Sequence, residues 1–365
     1  MFSLYIHIPF CVQKCKYCDF PSYVGALCYA DRYIDALLTE AEKYRGGRIS
    51  TIFIGGGTPS LLSSAQIDRL VNGIASVFDV SGCEEFSIEA NPESITAEKL
   101  RTYRDVGINR ISIGLQSPND EDLVMLGRAH DFATFSKAYE LASGYFDNIN
   151  IDIISGLPGH NLEKHTENLK KVLHFAPKHL SVYSLIPEEG TAFFDQIASG
   201  DLMLPDEAVD RDIYHATHAL LSANGYERYE ISNYAKDGYA CKHNIRYWMG
   251  GDYLGIGCAA HSLIDGVRYS HSDSIEQYLI QPLKRDEEKL CQTDRYEEFI
   301  MLRLRMKDGI DLNEFKCLFN YDLLSTKHQN IDFLINNGLI NVGSDRITLT
   351  EKGFDLCDSV ILKLI

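Results

Sequence analysis

YIHIPFCVQKCKYCDF, residues 5–20, places Cys11, Cys15 and Cys18 in a C-x-x-x-C-x-x-C array. Just before it Leu4, Ile6 and Ile8 alternate with Tyr5 and His7, a strand signal that Pro9 ends. Thiolates this close on an irregular loop can converge on one soft metal centre, whereas a mid-strand or mid-helix placement would point them apart. The array therefore reads as a metal loop hung from the end of a strand. A closed structural zinc site wants four ligands, for which His7 and Asp19 are the nearest further candidates. An iron–sulfur cluster held by three cysteines instead leaves one iron open to another ligand.

Working outward, Asp31 to Tyr44 carries apolar residues at Tyr33, Ile34, Leu37, Leu38 and Ala41, the spacing of one helical face. The apolar run Ile52 to Ile54 then stops at Gly55, Gly56 and Gly57, and a second helical pattern follows through Ile67, Leu70, Val71 and Ile74. The alternation continues through Phe86–Ala90, Ile111–Leu115, Ile149–Ile154 and Leu180–Leu185, each with a turn and a helical pattern after it. Six such β-α units imply an α/β chain whose parallel sheet curls by right-handed crossovers into a full or partial TIM-like barrel. In that architecture the loops at the C-terminal strand ends carry the chemistry, and the cysteines, Gly55 to Pro59, Glu89, Gln116 and Asp152 all fall there. The barrel is expected over residues 1–235 and a connecting segment over 236–285. Within that segment, Cys241 to Ser262 reads as a loop crossing the sheet's open edge or mouth. Residues 286–365 read as a smaller helical unit whose helix, hairpin and closing helix follow a winged-helix order.

At 365 residues the chain exceeds one ordinary core and suits a large barrel plus an appendage. No window approaches the ~20 apolar residues of a membrane span, and a signal-peptide pattern is lacking, so cytoplasmic residence is expected. The net charge of -17 repels a phosphate backbone. From Asp311 onward five Lys and Arg face eight Asp and Glu, so the winged unit suits packing or partner docking better than DNA. Of ten cysteines only the first three are regularly spaced, which favours reduced thiols and one metal site over a disulfide framework.

CVQKCKYC after a strand, with GGGTP on the next strand end, closely resembles the radical S-adenosylmethionine (SAM) enzymes. The resemblance implies a [4Fe-4S] cluster on Cys11, Cys15 and Cys18, with SAM chelating the fourth iron and yielding a 5′-deoxyadenosyl radical on reduction. It narrows to the group around oxygen-independent coproporphyrinogen III oxidase through IEANP at Ile88, GINRISIGLQS at Gly107, LGRAH at Leu126, IDIISGLPG at Ile151 and EEGTAF at Glu188. Carried over by position, Tyr5, Gly56, Gly57, Thr58, Glu89, Gln116, Arg128 and Asp152 would line the SAM site, and Tyr17, before the last cysteine, joins the cofactor-binding set. Gly56 and Gly57 suit close backbone approach, Arg128 a carboxylate, and Gln116 with Asp152 ribose hydroxyls.

Two departures separate members of that group. The oxidase carries a fourth cysteine where this chain has Phe20, and HNIRYW, His243 to Trp248, resembles the H-N-x-x-Y-W signature of the heme chaperone family. That implies a protein that binds heme and passes it to heme-accepting proteins, supported by cluster and SAM, with an electron donor such as a flavodoxin or ferredoxin and a homodimer left open. His243 and Cys241 are rival axial ligands, and Tyr247 and Trp248 offer faces to a porphyrin. The same stretch also reads as barrel closure, with a buried Trp248 and a hydrogen-bonded His243. The alternative function is the oxidase itself, decarboxylating propionates in porphyrin biosynthesis. His160 after Gly159, and Cys258 in a usually glycine-rich stretch, depart from the family pattern.

Overall fold

A computed structural model describes residues 1–365. Strands β1 (Phe2–Ile8), β2 (Ile49–Gly56), β3 (Glu85–Ala90), β4 (Arg110–Gln116), β5 (Asn148–Ser155) and β6 (His179–Ser184) lie side by side in chain order, all parallel. Helices Ala30–Ala41, Ser64–Val77, Ala97–Asp105, Phe132–Ser143 and Leu162–Leu173 return the chain between them, and Glu207–Ala223 follows β6. Local chemistry starts these helices: Ser63 and Gln66 form a capping box, and Thr96, Asp131 and Asn161 each accept a first-turn N–H. The sheet does not close. Asn233–Ala235 adds antiparallel to β6 at one edge, and Tyr253–Ile256 adds parallel to β1 at the other.

Strand alternation sorts the side chains of this partial barrel into two layers. Leu4, Ile6, Ile8, Ile52, Ile54, Ile88, Ile111, Ile113, Ile151 and Leu180 are buried in one apolar core of 50 residues shared with the helices. The intervening residues are mostly polar, and Tyr5, Glu89, Arg110, Ser112, Asn150, Asp152, Ser181 and Tyr183 line a cavity. The barrel thus has an apolar outer layer and a polar lumen. Polar residues on every second position are tolerable there because they hydrogen-bond one another, as where Asn150 Nδ2 donates to Ser112 Oγ and Ser181 Oγ at 2.7 and 3.0 Å.

The stretch Cys241 to Ser262 corrects the expectation of a loop. It forms helix Lys242–Trp248 and strand Tyr253–Ile256, then enters strand His261–Ile264, which pairs with Val267–Ser270. Leu254, Ile256, Cys258, Tyr269, Ile275 and Tyr278 join the barrel's own core. Two features hid this. The glycines that suggest a loop serve close packing, since a Cβ on Gly255 would lie 2.2 Å from the His261 carbonyl oxygen. The helix, in turn, is only seven residues long.

The C-terminal unit has its own core of 17 buried residues, from Phe299 to Leu364. Strand Ile310–Asp311 joins the hairpin Ile340–Val342 and Arg346–Leu349, with helices on either side in the winged order. It is pinned to the barrel unit by Arg228, whose Nη2 donates to both Glu351 carboxylate oxygens at 3.0 and 3.2 Å and whose guanidinium stacks 3.9 Å over Phe354.

Candidate functional site

The cysteine loop leaves β1 at Pro9 and is braced by the strand it comes from. His7 Nε2 bonds the Pro21 carbonyl oxygen at 2.9 Å, and His7 Nδ1 meets the Tyr5 hydroxyl at 3.1 Å. Both ring nitrogens are thereby occupied, so His7 holds the loop rather than serving as a fourth metal ligand. The three thiols are free and half-buried. Cys18 is pushed up by burial, with Cys15 and Cys11 adding to the rise.

Gly56 and Gly57 let the second strand end approach this loop. Gly56 has φ +116°, and a Cβ there would lie 2.6 Å from the His7 ring; one on Gly57 would lie 3.0 Å from Cys11 Sγ and 2.8 Å from the Phe10 carbonyl oxygen. Thr58 Oγ1 stands 3.5 Å from Cys11 Sγ and accepts from Asn91 Nδ2 at 3.1 Å. Asn91 Oδ1 in turn accepts from Arg128 Nη2 at 2.7 Å, and that nitrogen also bonds the Gly114 carbonyl oxygen at 2.9 Å. Arg128 Nη1 lies 3.5 Å from Cys15 Sγ and 3.4 Å from the Tyr17 hydroxyl, while its buried Nε has no partner. One network thus connects Cys11, Thr58, Asn91, Arg128, Tyr17 and Cys15. Asn91 lies in the IEANP stretch, and its bridging role depends on contacts 33 and 37 residues away that no local pattern shows.

Gln116 ends β4 with φ +72°, a left-handed conformation rare for a non-glycine residue, just past a register shift. The turn beyond it is held by Asp122, which accepts from Ser117 Oγ at 2.7 Å and Lys164 Nζ at 2.9 Å and pairs with His160 Nε2 at 2.7 Å. His160, the departure noted in the sequence, is therefore part of a buried brace. Within the lumen Gly56 N donates to Glu89 Oε2 at 3.0 Å, and Asp152 accepts from Ser112 Oγ at 2.9 Å and Asn150 Nδ2 at 2.7 Å. Burial, with help from Asp152, pushes the Glu89 carboxyl up to about 8. Tyr5, Glu89 and Asp152 line the same cavity, whereas Gly56, Gly57, Thr58, Gln116 and Arg128 sit at its cysteine end and outside its wall.

These residues fit the groups that the sequence implies. Three unpaired thiols on one loop supply the donor chemistry of a cluster, the glycine approach leaves backbone close to a sulfur, and the buried Arg128 Nε beside them is left without a partner. When bound, cluster and SAM supply one-electron chemistry; the protein residues position them and exclude water.

Helix Lys242–Trp248 lies at the opposite, N-terminal end of the strands. Glu85, the buried first residue of β3, caps it: its carboxylate accepts from Lys242 N at 2.9 Å, His243 N at 3.0 Å and Cys241 Sγ at 3.2 Å. His243 Nδ1 bonds Thr51 Oγ1 at 2.9 Å and its Nε2 bonds the Tyr247 hydroxyl at 2.9 Å. Burial, then Arg110, lowers the imidazole to about 3, so it is neutral. With both nitrogens engaged, His243 has the hydrogen-bonded form of the two readings, and Cys241, pushed up by burial to about 12, is equally committed to Glu85. Tyr247 and Trp248 nevertheless face the cavity, which has a volume of about 1660 Å³ and extends past Phe20 and Met249 to Phe299, Leu318 and Phe319 of the C-terminal unit.

The family profile described as "Radical SAM superfamily" matches residues 5–172, and that described as "HemN C-terminal domain" matches 290–356. The chain is similar to the heme chaperone HemW of Escherichia coli strain K12, 41% identical over 368 residues, covering 96% of this chain and 94% of that one. It is similar likewise to heme chaperone HemW of Lactococcus lactis subsp. lactis strain IL1403, 36% identical over 367 residues, covering 100% and 97%. Among solved structures, the coproporphyrinogen III oxidase HemN from Escherichia coli, a radical SAM enzyme, superimposes with a TM-score of 0.86 at 27% identity, over 100% of this chain and 89% of that one.

Proposed function

The chain belongs to the heme chaperone family of radical SAM proteins, and from that premise we propose that it binds heme and transfers it to acceptor hemoproteins. The observation that carries the reading is the continuity of one cavity from Glu89 and Asp152, beneath the cysteine loop, to Tyr247 and Trp248 and on to Phe299, Leu318 and Phe319. A flat apolar ligand with a charged edge suits such a wall of aromatic and aliphatic faces set beside a polar lumen. At the cysteine end of that space Cys11, Cys15 and Cys18 would hold the cluster, and Tyr5, Glu89, Gln116, Arg128 and Asp152 would hold SAM. The reading includes cytoplasmic residence and an electron donor of the flavodoxin or ferredoxin class. No helix is long and apolar enough to cross a membrane.

Phe20 favours the chaperone over the oxidase. It stands where the oxidase has a fourth cysteine, is 62% exposed and lines the cavity. The experiment is anaerobic reconstitution with iron and sulfide, heme titration by visible absorption, and a parallel assay of coproporphyrinogen III with SAM and reductant. The expected result is stoichiometric heme binding and transfer to an apo-hemoprotein with no protoporphyrinogen formed; protoporphyrinogen formed at a catalytic rate would overturn it.

A further inference from the structure

Arg110 opens β4 and heads the largest fully buried side chains of the protein, at 2% exposure. Its guanidinium makes no hydrogen bond and no ion pair, and its buried Nε is unpartnered, although it lines the cavity. The groups around it are spent elsewhere. Glu85 caps helix Lys242–Trp248, Asp152 is held by Ser112 and Asn150, and the Tyr229 hydroxyl bonds His179 Nε2 at 2.8 Å. Burial works against the cation, but Cys241, Glu85, Tyr229 and Asp152 outweigh it, so the guanidinium stays charged. A charged fork that lines a cavity with its Nε buried and its terminal nitrogens without a protein acceptor is ready for an acceptor supplied by a ligand.

We propose that Arg110 is the carboxylate-binding residue of the lumen, and that the carboxylate it takes is a propionate of the heme whose binding is inferred above. The planar guanidinium matches a carboxylate in bidentate geometry, which a point charge does not. Its place in the cavity wall fits that role. It lines the same cavity as Asp152, His243, Tyr247 and Trp248, so a macrocycle whose propionate reaches it has the faces of Tyr247 and Trp248 within the same space.

The inference rests on the heme-binding reading, and the two fail differently. Heme and heme dimethyl ester are titrated into the cluster-loaded, SAM-free protein. Absence of any heme binding removes the reading itself; equal affinity for heme and ester removes only the role of Arg110. The expected result is roughly 10- to 100-fold weaker binding of the ester, the range of one charge-assisted pair. In Arg110→Gln the discrimination falls by about tenfold, and Arg110→Lys recovers part of it. Should neither variant fold, the wild-type ratio is measured from low salt to about 1 M, where exposed pairs are screened and a buried one is not. A ratio that collapses with salt, or one unchanged in folded Arg110→Gln, overturns the proposal. So does a tenfold loss of SAM affinity in Arg110→Gln with ester discrimination intact, which would assign the pair to the methionine carboxylate instead.

Discussion

Glu85→Ala tests whether helix Lys242–Trp248 is seated on the floor of the barrel independently of the cysteine loop. The substitution leaves the N–H groups of Lys242 and His243 and the Cys241 thiol without an acceptor in a buried place. At about 1–3 kcal/mol for each orphaned donor, the two N–H groups alone cost roughly 2–6 kcal/mol. Urea unfolding with m of about 3 kcal/mol/M then shifts its midpoint down by roughly 0.7–2 M. Glu85→Gln keeps one carbonyl acceptor and falls between Ala and wild type. The functional readout separates the two ends of the lumen. Thr51, beside His243, and Gly56, beside the cysteine loop, are five residues apart on β2, about 16 Å of strand. Heme affinity should therefore drop by an order of magnitude or more in Glu85→Ala, while iron and sulfide per chain and SAM affinity stay near wild type. An unchanged midpoint, or parallel losses of cluster and heme binding, would refute the placement.

Glu89, with its carboxyl raised to about 8 against an ordinary 4.5, is neutral in the folded protein at pH 7; its contribution to stability is present below pH 4.5 and is lost as pH rises through 8. Cationic SAM favours the carboxylate, so SAM binding between pH 6 and 8 should release up to one proton and strengthen about tenfold per pH unit, read by calorimetry in buffers of different ionisation enthalpy; pH-independent binding contradicts this. Gly56→Ala drives a Cβ into the His7 ring at a φ that L residues avoid, so it should cost about 2 kcal/mol or more and lower cluster iron per chain, checked by metal analysis. Arg128→Lys loses the fork that joins Asn91 and Gly114 to Cys15 and Tyr17, and SAM affinity should fall roughly 10- to 100-fold with the visible spectrum of the cluster retained.

By itself the sequence determined the six β-α units, because apolar periodicity and glycine stops are local signals, and it determined the cysteine loop, because three thiols in eight residues after a strand have few other uses. It placed Glu89, Asp152 and the glycines at strand ends for the same reason. Only the tertiary structure decided which of these side chains are already satisfied. One ring nitrogen of His243 is taken by Thr51, 192 residues away, the other by Tyr247, and Arg110 is left without a partner although two acidic residues stand near it. The alternation of Arg110, Ser112 and Gly114 with Ile111 and Ile113 was a readable sign that a charge faces the lumen. Whether that charge meets a partner is fixed by hydrogen bonds between segments far apart in the chain, and no local spacing encodes those.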